Sequence, residues 1–440
     1  MRVLAVGGGG REHAIVKALA RSGAEVLSVM KNRNPGIARA SSDLLLAKET
    51  DVEKVIRFAE SRKVELAVIG PESPLEAGLA DALTERGIGC VGPTRSAARI
   101  ETSKSFARAL LAEYKVPGNL RFAAFTDLRE AEAHLRSIDY EVAVKPTGLT
   151  GGKGVKVQGE HLAGEREVRA YVRKVLEEGI GGAGVVIEEK VRGEEFTLQA
   201  FCDGERVVPM PLVQDHKRAF EGDVGPNTGG MGSYSSEDHL LPFVNSSDEE
   251  EAVNTMLRTV EALAKEGIPY RGILYGQFML TKGGPRLIEF NARFGDPEAM
   301  NVLPLLESDF VELCAGIASG DLAGRECEFR KAATVCKYVV PEGYGTEPKV
   351  NMPIKVDEEG VGRAGAELFY AAVNEEGGRI LTSSSRAVAV VGIENSIDAA
   401  ERQCERALRF ISGENIYVRH DIGKHEVIQR RIDHMRALRK

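Results

Sequence analysis

No two cysteines in this sequence stand at C-x-x-C spacing. The six present (Cys90, Cys202, Cys314, Cys327, Cys336, Cys404) are scattered through 440 residues. That excludes a disulfide scaffold or a cysteine zinc site and fits reduced, packed thiols. No apolar run approaches the ~20 residues of a membrane span, and the N-terminus runs directly into a short strand, Val3 to Val6. A strong excess of one charge is missing too: the formal net charge is −8 with both signs interspersed. A nucleic-acid binder dominated by phosphate contacts is thereby disfavoured, although a local basic pocket is not. There is no internal repeat and no low-complexity tract. The expectation is a cytoplasmic, soluble monomer without nucleic-acid or membrane partners. Its length exceeds one ordinary core, so two to four domains are expected.

What is present centres on the run Gly284-Pro285-Arg286-Leu287-Ile288-Glu289-Phe290-Asn291-Ala292-Arg293-Phe294-Gly295-Asp296-Pro297-Glu298. Leu287, Glu289, Asn291 and Arg293 alternate with Ile288, Phe290 and Ala292, so a period-two strand would aim those four at one face. Gly-Asp-Pro then ends the strand in a tight turn. Glu and Asn at i, i+2 supply hard oxygens suited to magnesium, and an Arg beyond them suits a phosphoryl group. An edge strand with a solvated face is the alternative, and this stretch alone leaves both open.

Arg2-Val3-Leu4-Ala5-Val6, the run Gly7-Gly8-Gly9-Gly10-Arg11-Glu12-His13 and a helical pattern from Ala14 to Arg21 predict strand, glycine loop and helix. Amides at such a helix start can hold a phosphate. A nicotinamide cofactor is disfavoured, because Glu12 or His13 occupies the third glycine position of the dinucleotide fingerprint. The strand Glu25 to Met30 also ends in Lys31-Asn32-Arg33 rather than in a ribose-binding acid. Helix 51–62, strand 65–69, helix 76–86 and strand 88–91 continue the rhythm, so the first ~100 residues read as a parallel sheet with covering helices. Glu72 follows a strand end, where open α/β sheets bind ligands; it reads equally as a loop-surface acid.

Thr102-Ser103-Lys104 opens a helix to Tyr114, and a strand follows at Leu120 to Phe125. The strand Tyr140 to Pro146 delivers Lys145 at its end. Gly148 to Val155 is a glycine-rich hairpin carrying Lys153. It is no Walker loop, since no Gly-Lys-Ser/Thr opens a helix, yet two lysines and glycines between strands suit nucleotide phosphates under a flap. A flexible exposed hairpin is the alternative. Val185 to Val191 is a strand followed by Arg192-Gly193-Glu194-Glu195, a hinge able to face an adenine edge and ribose hydroxyls, or a plain acidic hairpin. Gln214-Asp215-His216-Lys217-Arg218 and Gly225-Pro226-Asn227-Thr228-Gly229-Gly230-Met231-Gly232 make one long turn-rich segment, and His216 is assigned no role. Helix 248–266 and strand 273–281 lead into the central run; Gln277 would stand beside Glu289 if the two strands pair. Helices at 298–306 and 309–319 and a linker at 320–330 follow. The remainder, with strands near 333–340, 366–373, 379–383 and 386–392 and a helix at 397–411, carries no clustered polar signature and reads as a small α+β accessory domain.

Lys104, the Lys145 strand, the Lys153 loop, the Glu-Glu hinge and the Gln277/Glu289/Asn291 set together resemble the ATP-grasp superfamily. Within it, the 214–218, 225–232 and 293–298 motifs, the opening Gly-Gly-Gly-Arg-Glu-His and the segment Gly92-Pro93-Thr94 to Lys104 resemble the phosphoribosylamine–glycine ligase (glycinamide ribonucleotide synthetase) family, across nearly the whole chain. The resemblance implies an α/β and α+β multidomain protein: an N-terminal parallel α/β sheet domain (1–101), a linking helix (102–121), an ATP-grasp flap subdomain (122–192), a catalytic subdomain (193–328) and a small C-terminal α+β domain (329–440). It implies ATP with Mg2+ or Mn2+, the substrates glycine and 5-phosphoribosylamine, and a glycyl phosphate intermediate in purine biosynthesis. ATP would be held by Lys104, Lys145, Gly151, Gly152 and Lys153, adenine by Glu188, Glu189, Lys190 and Val191, and ribose by Glu195. The metal would fall to Gln277, Glu289 and Asn291. Arg293 and Lys153 would be catalytic. Gly8, Gly9, Gly10 and Glu72 would hold the phosphoribosyl amine, with Asp215, Lys217, Asn227, Thr228, Gly229, Arg293, Asp296 and Pro297 on the substrate side. The chain departs from the family pattern at Pro146-Thr147, Thr150, Gln277 and Ala299-Met300. Two rivals remain: a sister ATP-grasp ligase using another carboxylate, and a nucleotide-sensing protein without turnover.

Overall fold

A computed structural model describes residues 1–150 and 154–440. The strands of the first hundred residues are apolar almost throughout, which suits burial on both faces. They form a five-stranded, all-parallel sheet in the order Asp43–Leu46, Glu25–Met30, Arg2–Val6, Leu66–Ile69, Gly89–Val91. Alternate residues feed separate cores: Leu4, Val6, Ala67 and Ile69 pack on one side, and Val3, Ala5, Leu66 and Val68 on the other. The order reverses between Arg2–Val6 and Leu66–Ile69, so the carboxyl ends of these two strands flank the crevice where such sheets receive ligands. Gly7 leaves the first at φ 119°. A Cβ on Gly7 or on Gly70 would run into the Glu12 side chain wedged between the two strand ends.

Two antiparallel sheets follow, with a cleft between them. One orders Phe122–Phe125, Val185–Glu189, Val142–Pro146 and Lys156–Val157, backed by the helices Leu128–Ser137 and Glu165–Glu178. The other orders Val207–Pro209, Glu194–Asp203, Arg271–Thr281 and Gly284–Asn291. Gly284–Asn291 is thus an edge strand whose polar side faces the cleft rather than bulk solvent. Its pairing slips by one residue between Gln277 and Phe278: Gln277 opposes Glu289, and Phe278 opposes Leu287. The bulge corrects the simple alternation. Leu287, now opposite Phe278, packs in one core with Phe278 and Phe290, while Glu289 opposes Gln277; Leu287, Glu289, Phe290 and Asn291 all border the cleft. A bulge also re-aims the local carbonyls; those of Leu287 and Ile288 accept hydrogen bonds from Arg108, and that of Ile288 from Lys145 as well.

The segment 214–232, expected to be irregular, contains Gln214–Asp215, the hairpin Arg218–Phe220/Val224–Asn227, and Gly232–Ser235. Gly232–Ser235 pairs with Ala333–Pro341, so the sheet of the C-terminal region runs Gln214–Asp215, Gly232–Ser235, Ala333–Pro341, Val388–Glu394, Glu367–Tyr370. Turn residues hid these short strands, which are specified by long-range pairing rather than local pattern. The expected strand at 366–373 is two, Glu367–Tyr370 and Val373–Glu376, in different sheets. The expected helix at 298–306 is Ala299–Val302 followed by the 3-10 turn Leu303–Leu305. A terminal helix, His425–Arg439, was not anticipated; it lies against Glu194 through Arg431 and His434, and Arg439 pairs with Asp248.

Candidate active site

A cavity of about 1080 Å³ lies between the two antiparallel sheets and reaches the N-terminal domain and the C-terminal region. Its deep wall is built by opposite charges. Lys145, 4 % exposed at the end of its strand, pairs with Glu188 at 2.8 Å and donates to the Ile288 carbonyl at 3.0 Å. Arg108 holds the same carboxylate bidentately at 2.7 and 3.0 Å. Burial alone would raise the Glu188 pKa, but Arg108 and Lys145 outweigh it and bring it to about 2. The Glu188 side chain is therefore spent inside this cluster. Glu189 turns to Arg121 and Arg286, and Lys190 to the Gln158 carbonyl, so from 188–191 the groups left for a ligand are chiefly backbone and Val191. Lys104 enters from the start of its helix and donates to the Gly148 carbonyl at 3.2 Å. Gly151, Gly152 and Lys153 lie outside the described residues.

The Gln277–Glu289 pairing places the amide and the carboxylate side by side, with Asn291 opposite Tyr275 one step along. Burial favours a neutral Glu289, yet Lys145, Lys104, Lys217 and Arg293 hold its pKa below the ordinary range. Gln277 donates its Nε2 to Glu195 at 2.5 Å, which directs its amide oxygen elsewhere. Glu195 also receives Lys217 at 3.0 Å. Arg293 is gripped by Glu72 at 3.3 Å and Glu101 at 3.1 Å, and donates to the Phe294 carbonyl at 3.2 Å. The two carboxylates part company. Burial would raise both, but Arg293 and Arg11 draw half-buried Glu72 down to about 2, whereas burial prevails at Glu101 and lifts it to about 7.

Toward the C-terminal region, burial and then the neighbouring Glu298 push Asp215 well above the ordinary carboxylate range, and its Oδ1 has no hydrogen-bond partner among the described residues. Thr228 fastens its loop to the Lys217 carbonyl at 2.8 Å. Asp296 is held at 2.5 Å by the Tyr338 hydroxyl and at 3.2 Å by Arg386, which also donates to the carbonyls of Gly229, Gly230 and Asp296. Glu72, Asn227, Gly229 and Asp296 line the cavity. Gly8, Gly9, Gly10 and Pro297 stand beside it rather than in its lining: the Gly9 N–H is taken by Glu12 at 2.7 Å, and a Cβ on Gly10 would strike Tyr338. Arg11 ties this loop to the central run through the Phe294 carbonyl at 3.1 Å.

Sequence reasoning missed Arg108, Glu101, Tyr338 and Arg386. Arg108 had a signal, a cation on the apolar face of Lys104–Glu113 between Ala107 and Leu111. Arg386, following three serines, had none.

Three family models match in order: the N domain of phosphoribosylglycinamide synthetase at residues 1–101, its ATP-grasp (A) domain at 102–299 and its C domain at 334–425. The chain is 56% identical over 441 residues to a phosphoribosylamine–glycine ligase of Methanothermobacter thermautotrophicus, covering 100% of both chains. It is 51% identical to one of Methanocaldococcus jannaschii, again over the full length of both. The crystal structure of phosphoribosylamine–glycine ligase from Thermotoga maritima superposes with a TM-score of 0.81 at 29% identity, over 96% of this chain and 100% of that one. A biotin carboxylase domain of Hydrogenobacter thermophilus 2-oxoglutarate carboxylase shares the fold alone, with a TM-score of 0.72 at 15% identity over 99% and 93% of the two chains. The chain belongs to the phosphoribosylglycinamide synthetase family of ATP-grasp ligases.

Proposed function

We propose that this cleft joins glycine to 5-phosphoribosylamine at the expense of ATP, through glycyl phosphate, with adenine meeting the backbone of 188–191 and Val191 rather than the side chains of Glu188, Glu189 and Lys190. The observation that carries the reading is the placement of one carboxylate, Glu289, opposite Gln277 in strand register and two residues before Asn291, in the field of four cations. The set fits a hard divalent cation whose remaining charge comes from ATP: Gln277, Glu289 and Asn291 would hold it. Among the described residues no group of three or more His, Cys, Asp or Glu is placed to bind a metal. Bound there, magnesium or manganese would neutralise phosphate oxygens.

In the proposed sequence a glycine carboxylate oxygen attacks the γ-phosphorus, and the bond to ADP breaks with its electron pair leaving on ADP. The amine nitrogen of phosphoribosylamine then attacks the acyl carbon, loses a proton, and phosphate departs. No protein nucleophile is required. Lys145 and Lys104 neutralise phosphate charge, Lys153 does so from the glycine loop, and Arg293 steadies the transferred phosphoryl group. Glu195 takes the ribose, and Glu72 with the Gly8–Gly10 loop the phosphoribosyl amine; Asp215, Asn227, Thr228, Gly229, Asp296 and Pro297 shape the substrate side. Residues 1–101 then serve the amine, 122–192 and 193–328 the nucleotide, and 329–440 the outer wall. We further propose that the chain acts as a monomer, and we place its reaction in the cytoplasm.

The test is release of ADP and phosphate that requires both glycine and phosphoribosylamine, with oxygen-18 in the glycine carboxylate passing to phosphate. Label retained in the amide product alone would reject the acyl phosphate; dependence on another substrate pair would reject the assignment.

A further inference from the structure

We infer that Glu101 is a positioning residue for phosphoryl transfer, fixing the Arg293 guanidinium and the end of the strand that carries Asn291 in one arrangement. The inference rests on the proposed role of Arg293. Glu101 belongs to the four-residue helix Arg99–Thr102, where the N-terminal domain joins the rest of the chain, and is 6 % exposed. Its Oε2 accepts the Ala292 N–H at 2.7 Å and its Oε1 pairs with Arg293 Nη2 at 3.1 Å. One carboxylate thus binds the backbone of one residue and the side chain of the next. Arginine has several rotatable bonds, and a single anchor leaves its plane free to swing. Two anchors, with the guanidinium also donating to the Phe294 carbonyl, define both its position and its tilt.

Glu72 does not duplicate this work. It meets Arg293 at 3.3 Å with its side chain 32% exposed, whereas the Glu101 side chain, which borders the same cavity, is only 5% exposed and holds the Ala292 N–H as well. The Ala292 contact matters as much, because Ala292 separates Asn291 from Arg293. Moving it displaces the proposed metal ligand and the proposed phosphoryl ligand together, and a misplacement of about 1 Å is enough to slow a positioned reaction about 100-fold.

The experiment uses the full chain with magnesium, ATP and both substrates, and records melting temperature, kcat, KM for ATP, and glycine-dependent positional exchange of bridging oxygen-18 in ATP without the amine. E101Q keeps an acceptor for the Ala292 N–H and loses the charge facing Arg293. We expect kcat and the exchange rate to fall about 10- to 100-fold with KM for ATP within about twofold, and E101D to recover part of the loss. In an R293K background, E101Q should add less than about a further twofold, because both changes remove one interaction. Losses that multiply in the double variant, a lowered melting temperature with unchanged kcat, or a rise confined to KM each overturn the inference. Should E101Q fail to fold, E101D in the two backgrounds gives the same comparison. Near-normal turnover of R293A alone would instead overturn the proposed role of Arg293.

Discussion

The end of the cleft proposed for the nucleotide and its outer wall are built in opposite ways. At the first the groups sit close together in sequence: Glu289, Asn291 and Arg293 lie within five positions, and their partners Gln277 and Lys145 come from strands that pair with, or donate to, the same edge. At the outer wall the groups are far apart. Asp296 is gripped by Tyr338 and Arg386, His216 faces Asp223, and Asp223 meets Arg419 and Arg431 of the C-terminal region. Chemistry that depends on charge placed along one strand can be written into a short motif. A wall that must close around a substrate is assembled by tertiary contact, and its residues need no local pattern.

Removing the single carboxylate of the metal set should do the most damage. Glu289→Ala is expected to lower turnover by at least about a thousandfold at any magnesium concentration, since no second acid in that set replaces it. Near-normal activity across a magnesium titration would make the strand structural and erase the contrast between the two regions. Arg386→Ala probes the outer wall. It leaves Asp296 without its ion pair and frees the Gly229–Gly230 carbonyls, so turnover should fall about 100-fold with a raised KM for the amine and an unchanged KM for ATP. A raised KM for ATP would show that the two regions are not separable.

A third measurement concerns the seam between the N-terminal and C-terminal parts. His13 accepts the Tyr370 N–H at 2.8 Å, and burial, then Lys17 and Arg39, lower its pKa from 6.5 to about 3. The unfolded chain therefore binds a proton that the folded one refuses. Its contribution is complete above pH 6.5 and is lost as the pH falls from 6.5 toward 3, at about 1.4 kcal/mol per unit. Stability followed by denaturant at several pH values should show that slope in the native chain and a shallower one in His13→Gln; equal slopes would refute it. Gln277→Glu should have the smallest effect, turnover within about tenfold and an altered magnesium dependence, because oxygen and length are kept while charge is added. Complete inactivation would mean that the neutral amide is required, not merely tolerated.

The legibility of the molecule follows the same division. The parallel sheet of the first hundred residues could be read from its apolar runs and turn residues, and the nearness of Gln277 to Glu289 from two adjacent strand patterns. The bulge at Ile288 could not, since it depends on carbonyls meeting Arg108 and Lys145, and it removed Leu287 from the face assigned to it. Glu188 was expected to meet the nucleotide. It lines the cavity with its side chain paired to Lys145 and to Arg108, a cation visible on an apolar helix face. Gln214–Asp215 and Gly232–Ser235 were hidden because a two- or four-residue strand rich in small and polar residues has no period of its own; pairing decides, of Gly232–Ser235 with Ala333–Pro341 and of Gln214–Asp215 with Gly232–Ser235.

That same pairing sets a schedule for synthesis. Gly232–Ser235 leaves the ribosome roughly a hundred residues ahead of Ala333–Pro341, a delay of roughly 5–20 s at ordinary rates of elongation. Until then the backbone edge of Gly232–Ser235 that Ala333–Pro341 will pair has no partner strand, and Tyr234 lacks its neighbour Val335. The catalytic half therefore cannot complete itself as it emerges, and the nascent chain passes through an interval in which an unpaired strand edge is open to other chains. A chaperone, or slow passage through this region of the message, would act on that interval and not on the folded enzyme.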